Sequence, residues 1–210
     1  MTGGQAVVKS LKVENVKHIF GLIGSATIEV FDALYEEKKI KFIGVRDERT
    51  GTHMADGYAR ASGRPGVILA GQNGPGATNL VTGVAQAAAA FSPVVSISGA
   101  LSTADVVQDA FQGVDQQSLF KPITKKTWTV ERTKHIPALF SEAFRVAMKP
   151  RCGPVHLNLP RDILSKSANF KNSQYSQTNK SHKIYPAKKN IIKKAAKMIS
   201  AATQPVIIAG

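Results

Sequence analysis

The chain is 210 residues long, 43% apolar, with one cysteine and a formal net charge of +14 at neutral pH. That is enough to bury a full core and hold one domain plus part of another. It has no apolar run near the roughly 20 residues of a membrane helix and no secretory-signal layout at its N-terminus, and its lone Cys152 rules out an intrachain disulfide and fits a reducing cytoplasm. The positive charge invites a nucleic-acid reading. However, nine lysines and no acid lie between Ser165 and Gly210, which leaves +5 for the first 164 residues. Lysines in a polar stretch without arginine forks or interleaved aromatics read as a solvated linker, not a nucleic-acid surface.

Hydrophobic periodicity alternates along the chain. Gln5 to Val16 reads as a helix, His18 to Ile23 as a buried strand, and Thr27 to Lys38 as an amphipathic helix with Ile28, Phe31, Leu34 and Tyr35 on its apolar stripe. Lys41–Val45 is a second strand, Thr50–Ala61 a helix and Gly66–Ala70 a third strand. The alanine-rich stretch Ala77–Phe91 suits a closely packed helix, followed by a strand at Pro93–Ser98 and a short one at Thr127–Val130. Lys134–Met148 is a helix and Gly153–Leu159 a strand. Strands separated by helices of this length predict a three-layer α/β/α fold, doubly wound, with a mainly parallel sheet. This domain is expected to span 1–164. The Ser-, Asn-, Gln- and Lys-rich residues 165–186 read as a linker. In 187–210 a helix over Lys188–Ala202 and a strand from Gln204 to Gly210 read as the opening of a second domain that is cut off.

Two segments carry candidate chemistry. Arg46-Asp-Glu48 places Glu48 after an apolar strand and before a helix, where parallel sheets build ligand crevices. A surface ion-pair cluster with Arg46, Asp47 and Arg49 is the competing reading. Gly71-Gln-Asn-Gly-Pro-Gly76 precedes a helix like a phosphate cradle, but matches neither the G-x-G-x-x-G nor the Walker pattern. A tight packing turn fits it equally well. Cys152, between Arg151 and Gly153-Pro154, reads as structural filler.

Taken in order, Phe20-Gly-Leu-Ile-Gly-Ser-Ala26, Arg46-Asp-Glu48 with His53-Met-Ala-Asp-Gly-Tyr-Ala-Arg60, and Asn73-Gly-Pro-Gly-Ala-Thr-Asn79 resemble the N-terminal pyrimidine-binding domain of thiamine-diphosphate enzymes. Ala110-Phe-Gln-Gly-Val-Asp115, Pro122-Ile-Thr-Lys125 and Gly153-Pro-Val-His-Leu-Asn-Leu-Pro-Arg-Asp162 continue the match, nearest to the acetolactate synthase branch. The resemblance implies carboligation of 2-oxo acids such as pyruvate, as in branched-chain amino-acid synthesis, in a cytoplasmic enzyme. Glu48 would hydrogen-bond N1′ of the aminopyrimidine, an arrangement that requires a carboxyl group shielded from water, while the cofactor supplies the electron sink. Gly24 and Ser25 match the loop that approaches the cofactor from the partner subunit, and Pro75 and Asn79 match residues beside the ring. Phe111 and Gln112 match a pair reaching the reacting carbonyl, with Gln112 a catalytic candidate. Arg151 matches a position that touches flavin in flavin-bearing relatives, so FAD joins thiamine diphosphate and Mg²⁺ as a cofactor to consider.

Each of these positions also has a purely structural reading. Phe111 fits simple packing, Asn79 a first-turn hydrogen bonder, and Arg151 an exposed turn. Mg²⁺ ligands are expected outside this chain, which has no Gly-Asp-Gly segment of the family kind, so the chain alone is expected to be inactive. The resemblance further implies a homodimer or homotetramer with the site across the interface, and neither nucleic-acid nor membrane partners. Ile23-Gly-Ser-Ala26 and Gln72-Asn73 depart from the usual Pro-Gly-Gly-Ala and Thr-Ser. A sulfoacetaldehyde acetyltransferase-like enzyme and a non-catalytic dimerising fragment are the alternatives.

Overall fold

The computed structural model describes residues 1–104, 110–175 and 186–208. The chain forms two units, Met1–Asn179 and Lys180–Gly210. In the first, helices and strands alternate from α1 (Gly3–Val13), β1 (His18–Leu22), α2 (Ile28–Glu36) and β2 (Lys41–Gly44) to α3 (Glu48–Ser62), β3 (Gly66–Ala70) and α4 (Gly74–Ala89). β4 (Val94–Ala100), α5 (Gln116–Phe120), β5 (Thr127–Thr129), α6 (Ile136–Met148), β6 (Val155–Pro160) and α7 (Arg161–Ser165) complete it. The six strands form one sheet in the order β2-β1-β3-β4-β6-β5, and every pairing is parallel. The expected three-layer, doubly wound fold is therefore the one observed.

The residue pattern explains why the sheet is covered on both sides. Along β6, Val155, Leu157 and Leu159 join one core, while His156 and Asn158, also buried, point to the other face. Along β4, Val95 and Ile97 lie in the first core, and Val94 lies in the second. The first core is filled by large side chains of α1, α2 and α6, among them Leu11, Phe31, Leu34, Phe140 and Phe144. The second is built from Ala55, Ala77, Leu80, Val84 and Ala87 of α3 and α4, with Phe120. Small residues let those helices approach closely: a Cβ on Gly83 would stand 2.5 Å from Thr52 Cβ.

Local signals set the helix ends. Thr2 and Gln5 form a reciprocal capping box on α1. Asp47 Oδ1 accepts from the Arg49 N–H at 2.7 Å at the start of α3, and Gly63 ends that helix at φ +66°. Several expected boundaries move. α3 begins at Glu48 instead of Thr50, because Asp47 is the cap. α4 begins at Gly74 instead of Ala77, so the Gly-Pro-Gly is its first turn and not a loop before it; proline tolerates this position, where its missing N–H would have no partner anyway. The short helices α5 and α7 had no separate sequence signal.

Residues 166–175 belong to the first unit and lie against its N-terminus: Gly3 N donates to Lys166 O at 3.0 Å, Ala168 N to Met1 O at 3.1 Å, and Thr2 and Ser167 form an antiparallel bridge. Within the linker, 176–185 fall outside the described residues. In the second unit α8 (Lys189–Ala201) is exposed throughout, including Ile191, Ile192, Met198 and Ile199. The strand expected after it is not seen at 205–208, where no neighbouring strand pairs with the backbone; 209–210 fall outside the described residues. No described helix is long and apolar enough to cross a membrane.

Candidate active site

The strand order reverses at β1 and β3: from β1 the chain moves outward to β2, then crosses back to β3. Loops leaving these two neighbours diverge and open a crevice at the C-terminal ends of the strands. Gly24 follows β1 and Gly71 follows β3, and their backbones touch. A Cβ on Gly24 would stand 2.5 Å from Gly71 O, and one on Gly71 would stand 2.2 Å from Gly24 N. Ala26 N donates to Gly71 O at 3.0 Å, closing the junction.

Glu48 is the first residue of α3, just beyond β2, and is only 4% exposed. The competing ion-pair cluster does not include it. Asp47 pairs with Arg49 at 3.1 Å on the surface, while the Glu48 side chain turns inward. Its Oε2 accepts from Asn79 Nδ2 at 3.1 Å, across from α4. Its Oε1 has no hydrogen-bond partner among the described residues and lies 3.1 Å from where a Cβ on Gly76 would stand. The same missing side chain would stand 3.1 Å from Gln72 Cβ. Pro75 is exposed one residue earlier in the first turn of α4.

A third loop joins from β4. Gln112, at φ +59°, accepts on its backbone C=O from Asn73 Nδ2 at 3.1 Å and on its side-chain Oε1 from Gln72 Nε2 at 3.1 Å. Gln72 Oε1 in turn accepts from Ser25 Oγ at 3.0 Å and from Ala26 N at 3.2 Å. Gly24, Ser25, Gln72, Asn73, Glu48, Pro75, Asn79 and Gln112 are thus gathered at one end of the sheet. Beside Gln112 lies a cavity of about 550 Å³, lined also by Asn73, Gln116, Gln117, Thr129 and Asn158. A larger hollow, about 660 Å³, lies between α1 and α2 among Val8, Lys12, Ala33 and Glu36. None of the candidate site residues lines it.

Two expected residues stand apart. Phe111 is 85% exposed, so the packing reading does not hold among the described residues. Arg151 precedes β6, at the opposite, N-terminal edge of the parallel sheet from Glu48, where its guanidinium covers the Phe91 ring at 3.5 Å. There Lys125 Nζ donates to the carbonyls of Lys149 and Arg151 at 2.7 and 2.8 Å. Burial holds the Lys125 amine below its usual range. Cys152 beside it is half-buried, its Sγ 3.4 Å from Met148 O.

Sequence reasoning missed the anchors of the third loop. At its entry, Thr103 donates both N–H and Oγ1–H to Asp162, at 3.0 and 2.8 Å. Burial alone would raise Asp162, but Lys166 and Thr103 outweigh it and hold the carboxyl at about 2. At its exit, α5 docks on one imidazole. Phe120 stacks on His156 with centroids 3.7 Å apart, and Gln116 Oε1 lies 3.1 Å from His156 Nε2. Gln116 and Phe120 are i, i+4 neighbours on one helix face. His156 Nδ1 lies 3.0 Å from Ser96 Oγ, and Ser98 hydrogen-bonds Gln116. Complete burial lowers the imidazole to about 3, so it is neutral. The only hint in the sequence was a histidine alternating with Val155 and Leu157.

Residues 1–119 match the model of the thiamine pyrophosphate enzyme N-terminal TPP-binding domain, more than half of the chain. The chain belongs to the thiamine pyrophosphate enzyme family. Among relatives of this family, the whole chain aligns at 40% identity with a probable acetolactate synthase large subunit of Methanocaldococcus jannaschii, covering 36% of that protein. It aligns at 40% with the acetolactate synthase large subunit of Buchnera aphidicola subsp. Schizaphis graminum and at 37% with the isozyme 3 large subunit of Escherichia coli, covering 37% of each. The chain therefore spans little more than a third of the length of these curated relatives.

Proposed function

We propose that this chain forms the pyrimidine-binding part of a thiamine-diphosphate- and Mg²⁺-dependent enzyme that joins 2-oxo acids, with pyruvate as substrate and acetolactate as product. One observation carries the proposal: the Glu48 carboxylate, at the C-terminal end of a parallel strand, is buried, with one oxygen held by Asn79 and the other without a hydrogen-bond partner among the described residues. The residues fit a thiamine ring. Glu48 Oε1 is placed to share a proton with a ring nitrogen, and Gly76 leaves the space beside it open. The relatives' names supply the reaction class.

In this reading the bound cofactor supplies the electron sink for decarboxylation and carbon–carbon bond formation. The protein's own groups orient and shield. Asn79 fixes the plane of the Glu48 carboxylate, and the buried setting keeps water from competing for it. Gly24 and Gly71 keep the crevice floor flat, and Gln112 faces the substrate side. We assign Mg²⁺ and the diphosphate to the stretch of the relatives that this chain does not span, since it covers 36% of the Methanocaldococcus jannaschii protein. A second copy would complete the site. A flavin contact at Arg151 would fall at the far edge of the sheet and takes no part in this chemistry.

The test is Glu48→Gln in the full-length protein. Turnover of pyruvate should fall by about 10²–10⁴-fold, the usual worth of a positioned acid–base group. An unchanged rate would leave a scaffold. Calorimetric titration of the isolated chain with thiamine diphosphate and Mg²⁺ should give no tight 1:1 binding.

A further inference from the structure

Ser25, Gln72 and Gln112 join the loops after β1, β3 and β4, and the direction of their hydrogen bonds is dictated by the backbone. The Ala26 N–H, shared between Gly71 O at 3.0 Å and Gln72 at 3.2 Å, can only donate, so the Gln72 amide atom facing it is the oxygen. Ser25 Oγ donates to that same oxygen at 3.0 Å. The Gln72 nitrogen is thereby turned the other way and donates to Gln112 Oε1 at 3.1 Å. This leaves the Gln112 NH₂ group with no hydrogen-bond partner among the described residues. Its base is held as well: the Gln112 carbonyl accepts from Asn73 at 3.1 Å, and a Cβ on Gly74 would stand 2.8 Å from that oxygen.

The other amides lining the 550 Å³ cavity already donate to protein oxygens: Asn73 to Gln112 O, Gln116 to Gly99 O, and Gln117 and Asn158 to Thr129 Oγ1. The described lining has no lysine or arginine, and its one acid, Asp115, is engaged by Ser118 at 2.6 and 3.1 Å. Among the described residues, Gln112 is therefore the lining amide with both N–H groups unspent.

We propose that Gln72 is a positioning residue that sets the direction of the Gln112 amide, so that this side chain presents donors, and no acceptor, to a ligand bearing a carbonyl or carboxylate oxygen. The ligand half of the proposal rests on the 2-oxo acid reading above; the orientation half does not. Gln72 thereby selects against ligands whose group at this point is itself a donor, because two donors face to face leave both without partners.

Gln72→Glu tests this by inverting the relay. Its carboxylate keeps the contacts to Ala26 and Ser25 but offers Gln112 an acceptor, so Gln112 turns its NH₂ inward and shows its oxygen to the cavity. Gln72→Leu removes the polarity without inverting it. In ¹⁵N-glutamine spectra of the chain, Gln72 NH₂ protons should be protected from solvent exchange and Gln112 NH₂ protons should exchange freely. In Gln72→Glu the protection should move to Gln112. Protection of the Gln112 amide in the unsubstituted chain would overturn the orientation. In the full-length protein, Gln72→Glu should raise KM for pyruvate about tenfold, the worth of one hydrogen bond, with kcat changing less and Gln72→Leu showing a smaller rise. An unchanged KM with Glu would overturn the ligand half. If the unsubstituted full-length protein does not turn over pyruvate with thiamine diphosphate, the functional reading fails, while the exchange pattern still decides the orientation.

Discussion

The two faces of the sheet are built on different principles. The face under α1, α2 and α6 is filled by Leu, Ile, Val and Phe, and its side chains need only size and shape. The face under α3, α4 and α5 combines alanines and glycines with a buried polar row, Ser96, Ser98, His156 and Gln116, whose members need partners as well as space. Apolar filling can be exchanged at modest cost as long as volume is kept. A buried polar row holds only while every member is satisfied. The candidate active site sits at the end of the second face, so the chain places its geometrically demanding packing where loops must be positioned and its forgiving packing opposite.

Substitutions on each face can break that contrast. Phe140→Ala, on the apolar face, should have the largest effect, about 3–5 kcal/mol from lost burial and a cavity. It would be read as a lower urea midpoint with no local signature at the crevice. Gly83→Val on the small-residue face should cost about 1–3 kcal/mol, because the new side chain meets Thr52 of α3 and must push α4 away. Thermal unfolding would give the loss, and hydrogen exchange should place it in α3 and α4.

His156→Leu sharpens the comparison through pH. The folded imidazole titrates at about 3, against an ordinary 6.5. Between those values the unfolded chain binds a proton that the folded chain does not, so stability rises with pH across this window. The contribution is complete above pH 6.5 and is eroded as pH falls towards 3, by about 2 kcal/mol between pH 7 and pH 5. His156→Leu should abolish this slope while costing about 1–3 kcal/mol at pH 7 from the partners left unsatisfied. Urea titrations at pH 5 and 7 would decide; an unaltered slope would mean that another group governs it. Asp162 acts in a separate, lower window, from 3.8 down to about 2. The smallest effect belongs to the Lys12–Glu37 pair at 2.7 Å on the apolar side. Lys12→Ala should shift stability by no more than about 0.5 kcal/mol, since exposed ion pairs contribute little.

What was legible in the sequence follows the same division. Alternating strands and helices and the closely packed alanine helix could be read because each depends on neighbours within a few residues, and the parallel sheet follows from that alternation. Glu48 was visible as an acid at a strand end, and its burial then separated it from the surface pair Asp47–Arg49. The start of α4 was placed three residues late because glycine and proline carry a loop signal that the helix's first turn overrides. Asp162 and His156 belonged to a matching motif but were given no role, because their partners lie 59 residues away at Thr103 and 40 residues away at Gln116. Gln72 stood out only as a departure from a pattern. Its meaning depends on a carbonyl 40 residues further on, and an alternating polar position on a doubly covered sheet does not announce that it is buried.

The contact between Gly24 and Gly71 has a mechanical consequence. With main chain pressed against main chain, neither loop can shift without carrying the other, so a force applied at Ser25 from outside is transmitted to Asn73 and on to the start of α4. A second protein leaning on the first loop would in this way adjust the far wall of the crevice without touching it.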